Sequence, residues 1–211
     1  LPDNPDYWPR TFYATLLEKL ARQNPALIAF NIHFGQSRDP EKDAALARAM
    51  ADSQNVVLSN YLKLTAIQDR DGDSHNGIYY EHIINPLDAF NQAALGAAPF
   101  PLPKSSSTVK EFWTYKLSAG GLATFPVSIF QFYLLKKTYS ELRHVLDRIN
   151  PNLLANTPDT YDALLKGHLA GQTIHTIQAF LSKHPEALAR FEELSLTSKY
   201  SSEVTRLLQS W

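Results

Sequence analysis

The sequence holds no cysteine in 211 residues. That excludes disulfides, thiolate nucleophiles and thiolate metal ligands together. It does not fix the compartment, because large domains in oxidising compartments fold without disulfides. Glycine is scarce, at eight residues. None of the glycines spells GxGxxG or a phosphate-binding loop, and neither GxSxG nor HExxH occurs. Charge of one sign is lacking too: the formal net charge is −1, so there is no basic footprint for nucleic acid. No apolar run reaches the roughly 18 residues needed to span a bilayer as a helix. No initiator Met or signal-peptide pattern is present, and the start at Leu1-Pro2 reads as a cut boundary or a processed end. With no catalytic constellation, the expectation is no catalytic residue, no cofactor and no metal.

What is present is ordinary for a folded chain: 44% hydrophobic and 19% charged residues, enough for one sizeable domain or two small ones. Leu1 to Pro9 is an irregular Pro/Asp/Asn-rich lead. Tyr13, Leu16, Leu17 and Leu20 then recur at helical spacing, and Asn24-Pro25 ends that helix. Ala26 to Phe34 reads as a strand with Phe30, Ile32 and Phe34 on one face and Asn31 and His33 on the other. Its apolar character predicts burial on both sides at a central parallel position. Asp39-Pro40 with Glu41 is a helix start, Ala44 to Met50 continues that helix, and Asn55 to Lys63 is the next strand. Strand, helix, strand makes a right-handed βαβ unit.

Asp69 to Gly77 reads as a polar loop, Ile78 to Ile84 as a strand and Asp88 to Leu95 as a short helix. Pro99, Pro101, Pro103 and Ser105 to Ser107 make an irregular segment. Val109 to Tyr115 is predicted to return to strand, Gly120-Gly121 to turn, and Phe125 to Leu135 to form a buried aromatic helix. From Tyr139 onward only helical stripes remain. The first is Leu142, Val145, Leu146 and Ile149. The second is capped by Thr157-Pro158 and runs through Tyr161, Leu164, Leu165 and Leu169. The third holds Ile174, Ile177 and Leu181, the fourth Leu188 and Phe191, and a last segment runs from Val204 to Trp211. The expected fold class is α/β: a central, partly parallel sheet flanked by helices over residues 1–138, with a C-terminal α-helical appendage or insertion over 139–211.

The stretch Trp8-Pro9-Arg10, the helix around Tyr13 to Leu20, the strand Leu27-Ile28-Ala29-Phe30-Asn31-Ile32-His33-Phe34, Asp43 with Leu46, and Asn55-Val56-Val57-Leu58 together resemble the CHASE2 family of bacterial extracytoplasmic sensor domains. Asn31 stands where the family usually has Asp. Pro99 to Lys104 and Thr124 to Tyr133 resemble the subclass fused to class III nucleotide cyclases. The resemblance implies a periplasmic domain of an inner-membrane receptor, between transmembrane helices, controlling a cytoplasmic output. Such outputs include adenylate or guanylate cyclases, histidine kinases, diguanylate cyclases and serine/threonine kinases. It also implies that this chain is an ectodomain fragment whose sheet lacks a strand found upstream in the family.

Five residues are candidates for ligand contact. Asn31 and His33 project from the carboxyl end of a parallel strand, where open α/β sheets bind ligands, and Asp43 could join them from the next helix. The alternative is that His33 satisfies a loop carbonyl and Asn31 fixes a turn. Arg10 could hold an anion with its fork of donors or pair with Asp6 or Asp39, and Trp8 could cover the sheet end. Asp69, Asp71 and Asp73 open like a calcium loop but fail at its sixth and twelfth positions, Ser74 and Tyr80. His75, His82, Glu81 and Asp73 lack a zinc spacing, as do His168 and His175. Phe125, Phe130, Phe132 and Tyr133 could line a cleft or fill a core. Three functions stand: a sensor of an unknown small-molecule or protein ligand acting on adjoining transmembrane helices; a soluble α/β enzyme built on Asn31, His33 and Asp43; and an interaction module, including a possible homodimer through the helical stripes.

Overall fold

Pro9 opens helix α1, Arg10–Ala21, and buries Arg10, Tyr13, Ala14 and Leu17 along one stripe. The computed structural model describes residues 8–67, 78–102, 108–109, 111–197 and 202–210. Two compact units emerge, Leu1–Ser128 and Ile129–Trp211. In the first, strand β1, Ile28–Phe30, leads to helix α2, Pro40–Ser53, and strand β2, Val56–Ile67. Asp39 caps α2 by accepting from the N–H groups of Glu41 and Lys42, satisfying donors that a helix start otherwise leaves free. Strand β3, Ile78–Ile84, helix α3, Asp88–Ala93, and strand β4, Gly96–Pro99, follow.

These four strands form one mixed sheet with β2 at its centre. β1 pairs parallel to β2 with Phe30 opposite Leu58, and β4 pairs parallel on the other side with Asn60 opposite Pro99. Beyond Asn60 the same strand turns into a hairpin arm, antiparallel to β3 from Tyr61↔Ile84 to Ile67↔Ile78. Helices α1, α2 and α3 supply Tyr13, Leu17, Leu46, Met50 and Phe90 to a core that also holds Ile28, Phe30, Phe34, Val56 and Leu58. Val56 and Leu58 of β2 face that core, two residues apart as the strand period requires.

The α/β class and its partly parallel sheet are as expected, with differences in detail. The run 26–34 forms only a three-residue strand at the sheet edge, with Ala29 exposed; β2 is the central strand. The apolar character of the run reflects Phe34, which leaves the strand and plugs the core at 0% exposure. β4 was not anticipated, since Gly-Ala-Ala-Pro has little β-propensity; the open side of β2 recruits it. Among the described residues of Val109 to Tyr115, only Tyr115 is in a strand: β5, Tyr115–Lys116, pairs with β6, Leu122–Ala123. Gly120 and Gly121 make the intervening turn at φ +81° and +73°, left-handed values that suit glycine. The loop Asp69 to Gly77, Ser105 to Ser107, Asp6 and Trp211 lie outside the described residues.

Helix α4, Phe125–Ile149, runs unbroken past Tyr139, and its first turn belongs to the first unit. The second unit adds α5, Tyr161–Lys166, α6, Ala170–Lys183, α7, Pro185–Thr197, and α8, Ser202–Gln209. The expected stripes are buried: Leu142, Val145 and Leu146 on α4, Ile174, Ile177 and Leu181 on α6, and Phe191 on α7. The cap of α5 is Thr160, accepting from the Ala163 N–H, and not Thr157-Pro158. Leu169 is not in α5, because a left-handed His168 at φ +53° separates that helix from α6. Phe125 and Phe132 are buried, whereas Phe130 is 41% exposed and Tyr133 receives the Lys137 ammonium over its ring. No helix among the described residues is long and apolar enough to cross a membrane.

Candidate functional site

Three parallel segments, β1, the first half of β2, and β4, end together at Phe30, Asn60 and Pro99. The loop that leaves β1 runs from Asn31 to Asp39 over this carboxyl end. Phe34 anchors it in the core, and its carbonyl accepts from the Leu87 N–H at 2.8 Å.

Arg10 and Asp43 hold the outer part of that loop. Arg10 Nε donates to Asp43 Oδ1 at 3.0 Å, and Nη2 donates to the Gln36 carbonyl at 3.0 Å. The guanidinium also lies 4.7 Å from the Phe34 ring centre and 5.4 Å from that of Phe90, a cation–π arrangement. The second oxygen of Asp43 accepts from the Ser37 hydroxyl at 2.7 Å and the Arg38 N–H at 3.0 Å. Burial by itself raises the Asp43 carboxyl, but the hydrogen bonds from Ser37, Arg38 and Arg10 outweigh it and hold the group below the usual carboxylate range. Burial also draws the Arg10 guanidinium below its ordinary value, against the opposing hydrogen bond with Asp43. The partner of Arg10 is thus Asp43, while Asp39 pairs with Lys42. Trp8 is half-buried, edge-on to Phe12 at 4.8 Å and stacked on Tyr13 at 6.0 Å. Its carbonyl accepts from Arg38 at 3.3 Å.

Asn31 and His33 sit on the inner part of the loop, apart from this network. Asn31 is exposed. The His33 ring lies 5.9 Å from that of Tyr61 and folds over Gly35, where an added Cβ would overlap the imidazole at Nε2. His33 Nδ1 is buried with no hydrogen-bond partner, and so is Oδ1 of Asn60, a residue only 8% exposed. A buried polar atom without a partner costs on the order of 1–3 kcal/mol, so two of them near one sheet end call for an explanation.

The structure therefore joins Trp8, Arg10 and Asp43 through the 36–38 loop, and groups His33 with Tyr61. Among the described residues, no hydrogen bond or ion pair links Asn31 or His33 to Asp43. Asn60, Tyr61 and Gly35 escaped sequence reasoning. Asn60 sits inside an apolar strand run, and its polar interruption there was the one signal available.

No curated protein and no solved structure matches the chain. Among protein families, the CHASE2 domain matches over residues 3–202. CHASE2 domains are sensory, not catalytic, and are typically extracellular. A match spanning both units, from the Trp-Pro-Arg turn to the last helix, decides the question: the chain belongs to the CHASE2 domain family of sensor domains.

Proposed function

We propose that this chain is the periplasmic signal-sensing domain of a bacterial inner-membrane receptor, and that it controls a cytoplasmic class III adenylate or guanylate cyclase. The family match over residues 3–202 carries the sensing role; the cyclase output rests on the likeness of the Pro99–Lys104 and Thr124–Tyr133 segments to cyclase-linked members. The ligand contacts are Asn31 and His33, with Asn60 and Tyr61 beside them. The unpartnered Nδ1 of His33 and Oδ1 of Asn60 support this reading. Arg10, Asp43 and Trp8 act behind them by fixing the loop. A ligand, small molecule or protein, shifts adjoining transmembrane helices only by its difference in affinity between two states of the domain.

The test joins the domain to its native membrane segments and output. Cyclase activity is compared with the domain intact, deleted, and carrying Asn31→Ala with His33→Ala. Deletion should change basal activity, and the double substitution should abolish the response to periplasmic extract. Activity indifferent to all of these would sink the proposal.

A second reading, an interaction or homodimerisation module, is favoured by apolar side chains on the β2–β3 hairpin. Leu64 is 59%, Tyr79 62% and Tyr80 48% exposed, more than isolated surface apolars require. Sedimentation as a monomer at high concentration would remove it.

A further inference from the structure

The second unit holds a cavity of about 190 Å³ between the 153–157 segment and α6. Its hydrogen-bonding residues are Asn156, Thr157, Gln172, Thr173 and Thr176, set against Leu169, and no charged side chain lines it. The volume equals the liquid share of about six waters, at roughly 30 Å³ each. It is below the roughly 300 Å³ at which drug-sized sites begin.

Thr173 is the residue that ordinary folding does not explain. It is 1% exposed, and its Oγ1 has no hydrogen-bond partner. A buried helical threonine normally donates to the carbonyl four residues back. Thr138 does so, to the Leu134 carbonyl at 2.8 Å. Thr173 does not; the Leu169 carbonyl accepts only its backbone N–H, at 2.8 Å.

The wall opposite α6 is built to stay in place. Arg143 Nη1 donates to the carbonyls of Leu154 and Thr157, each at 3.0 Å, and to Thr157 Oγ1 at 2.7 Å. Its Nη2 pairs with Asp159 at 3.0 Å, and the Tyr139 hydroxyl donates to the Pro158 carbonyl at 2.6 Å. The Arg143 guanidinium is thereby committed to loop carbonyls and an acid, and the side chains that line the cavity are neutral.

We infer that this cavity binds a small, uncharged polyhydroxyl compound, with Thr173, Asn156, Gln172 and Thr176 as hydrogen-bonding contacts. Hydroxyl and amide side chains both give and accept hydrogen bonds, which matches vicinal hydroxyls. The absence of charge in the lining disfavours an ion, whose desolvation would go uncompensated. The site lies within the second unit, and the inference does not depend on the sensor reading.

The test uses the full 211-residue chain in two-dimensional amide NMR, titrated with glycerol and erythritol, with acetate and N-methylacetamide as controls. The polyols should move amides of 153–157 and 169–176 in a saturable way and leave those of β1–β4 unmoved. Thr173→Val, which keeps the shape and removes the hydroxyl, should weaken polyol binding about five- to tenfold, as should Gln172→Ala at its exposed position. No saturable shifts with either polyol would mean the cavity holds water only and would overturn the inference. Equal shifts with acetate or N-methylacetamide, or unchanged titration of the Thr173→Val chain, would overturn it too.

Discussion

Nε of Arg10 and Oδ1 of Asp43 lie 3.0 Å apart with their side chains only 4% and 5% exposed. The pair joins the first residue of α1 to the first turn of α2, and its remaining hydrogen bonds tie down the loop between β1 and α2. Removing one member of such a pair strands a buried charge. Asp43→Ala should therefore destabilise the chain by about 3–5 kcal/mol, read as a lower urea midpoint at unchanged m-value. The double variant Arg10→Met, Asp43→Leu should recover most of that loss. A single variant within about 1 kcal/mol of the parent would show that the pair is replaceable.

The same carboxyl sets a pH dependence. Its folded-state value is depressed below the ordinary value near 3.8, so the unfolded chain binds the proton more readily. The stabilisation is complete above the unfolded value and is lost as pH falls through the folded one. Arg10 keeps its charge over this range. Urea midpoints measured from pH 7 down to pH 2 should fall steeply at the acid end for the parent and less steeply for Asp43→Asn. Parallel curves for the two proteins would contradict the assignment.

His168 closes α5 in a left-handed conformation at φ +53°. The Leu169 N–H donates to the Leu164 carbonyl and the His168 N–H to the Leu165 carbonyl, the two bonds of a Schellman turn in which His168 holds the position usually given to glycine. His168→Gly should stabilise the chain by about 0.5–1 kcal/mol, raising the thermal midpoint by a few degrees. A fall in the midpoint would mean that the imidazole contributes more than its backbone strain costs.

Gly35 is needed for the space it leaves and not for its backbone. A methyl there would overlap the His33 imidazole, and the ring would have to swing away from Tyr61. Gly35→Ala should cost about 1–3 kcal/mol, the range for overpacking, and should displace the His33 ring resonances while leaving the far-ultraviolet circular dichroism intact. In the joined receptor it should blunt the response to the same extent as His33→Ala. Unmoved His33 resonances would count against the packing described here.

Local signals proved reliable where local physics decides the outcome. Asp39-Pro40 starts α2 because a side-chain oxygen and a missing N–H both suit a helix end, and the run Asn55 to Lys63 falls almost wholly in β2, Val56–Ile67, because Val56, Val57 and Leu58 suit a buried strand. The helical stripes of the second unit were legible for the same reason. Signals failed where distant contacts decide. The apolar run 26–34 is divided between a short edge strand and a loop because Phe34 is drawn into the core beside Phe90. Gly96–Pro99 becomes a strand because β2 has an open side, and Val109 and Glu111 to Trp113 stay out of the sheet despite their apolar residues.

The sequence by itself determined the α/β class and the family, because composition, periodicity and caps act within a few residues. Only the tertiary structure decided which distant side chains meet. Residues 33 positions apart in sequence become a buried ion pair in Arg10 and Asp43, whose remaining hydrogen bonds hold the loop between β1 and α2. Asn60, a polar interruption of an apolar run in the sequence, becomes a buried polar group whose Oδ1 has no hydrogen-bond partner. Charge pairing and burial are properties of spatial neighbours, and those neighbours exist only once the chain has folded.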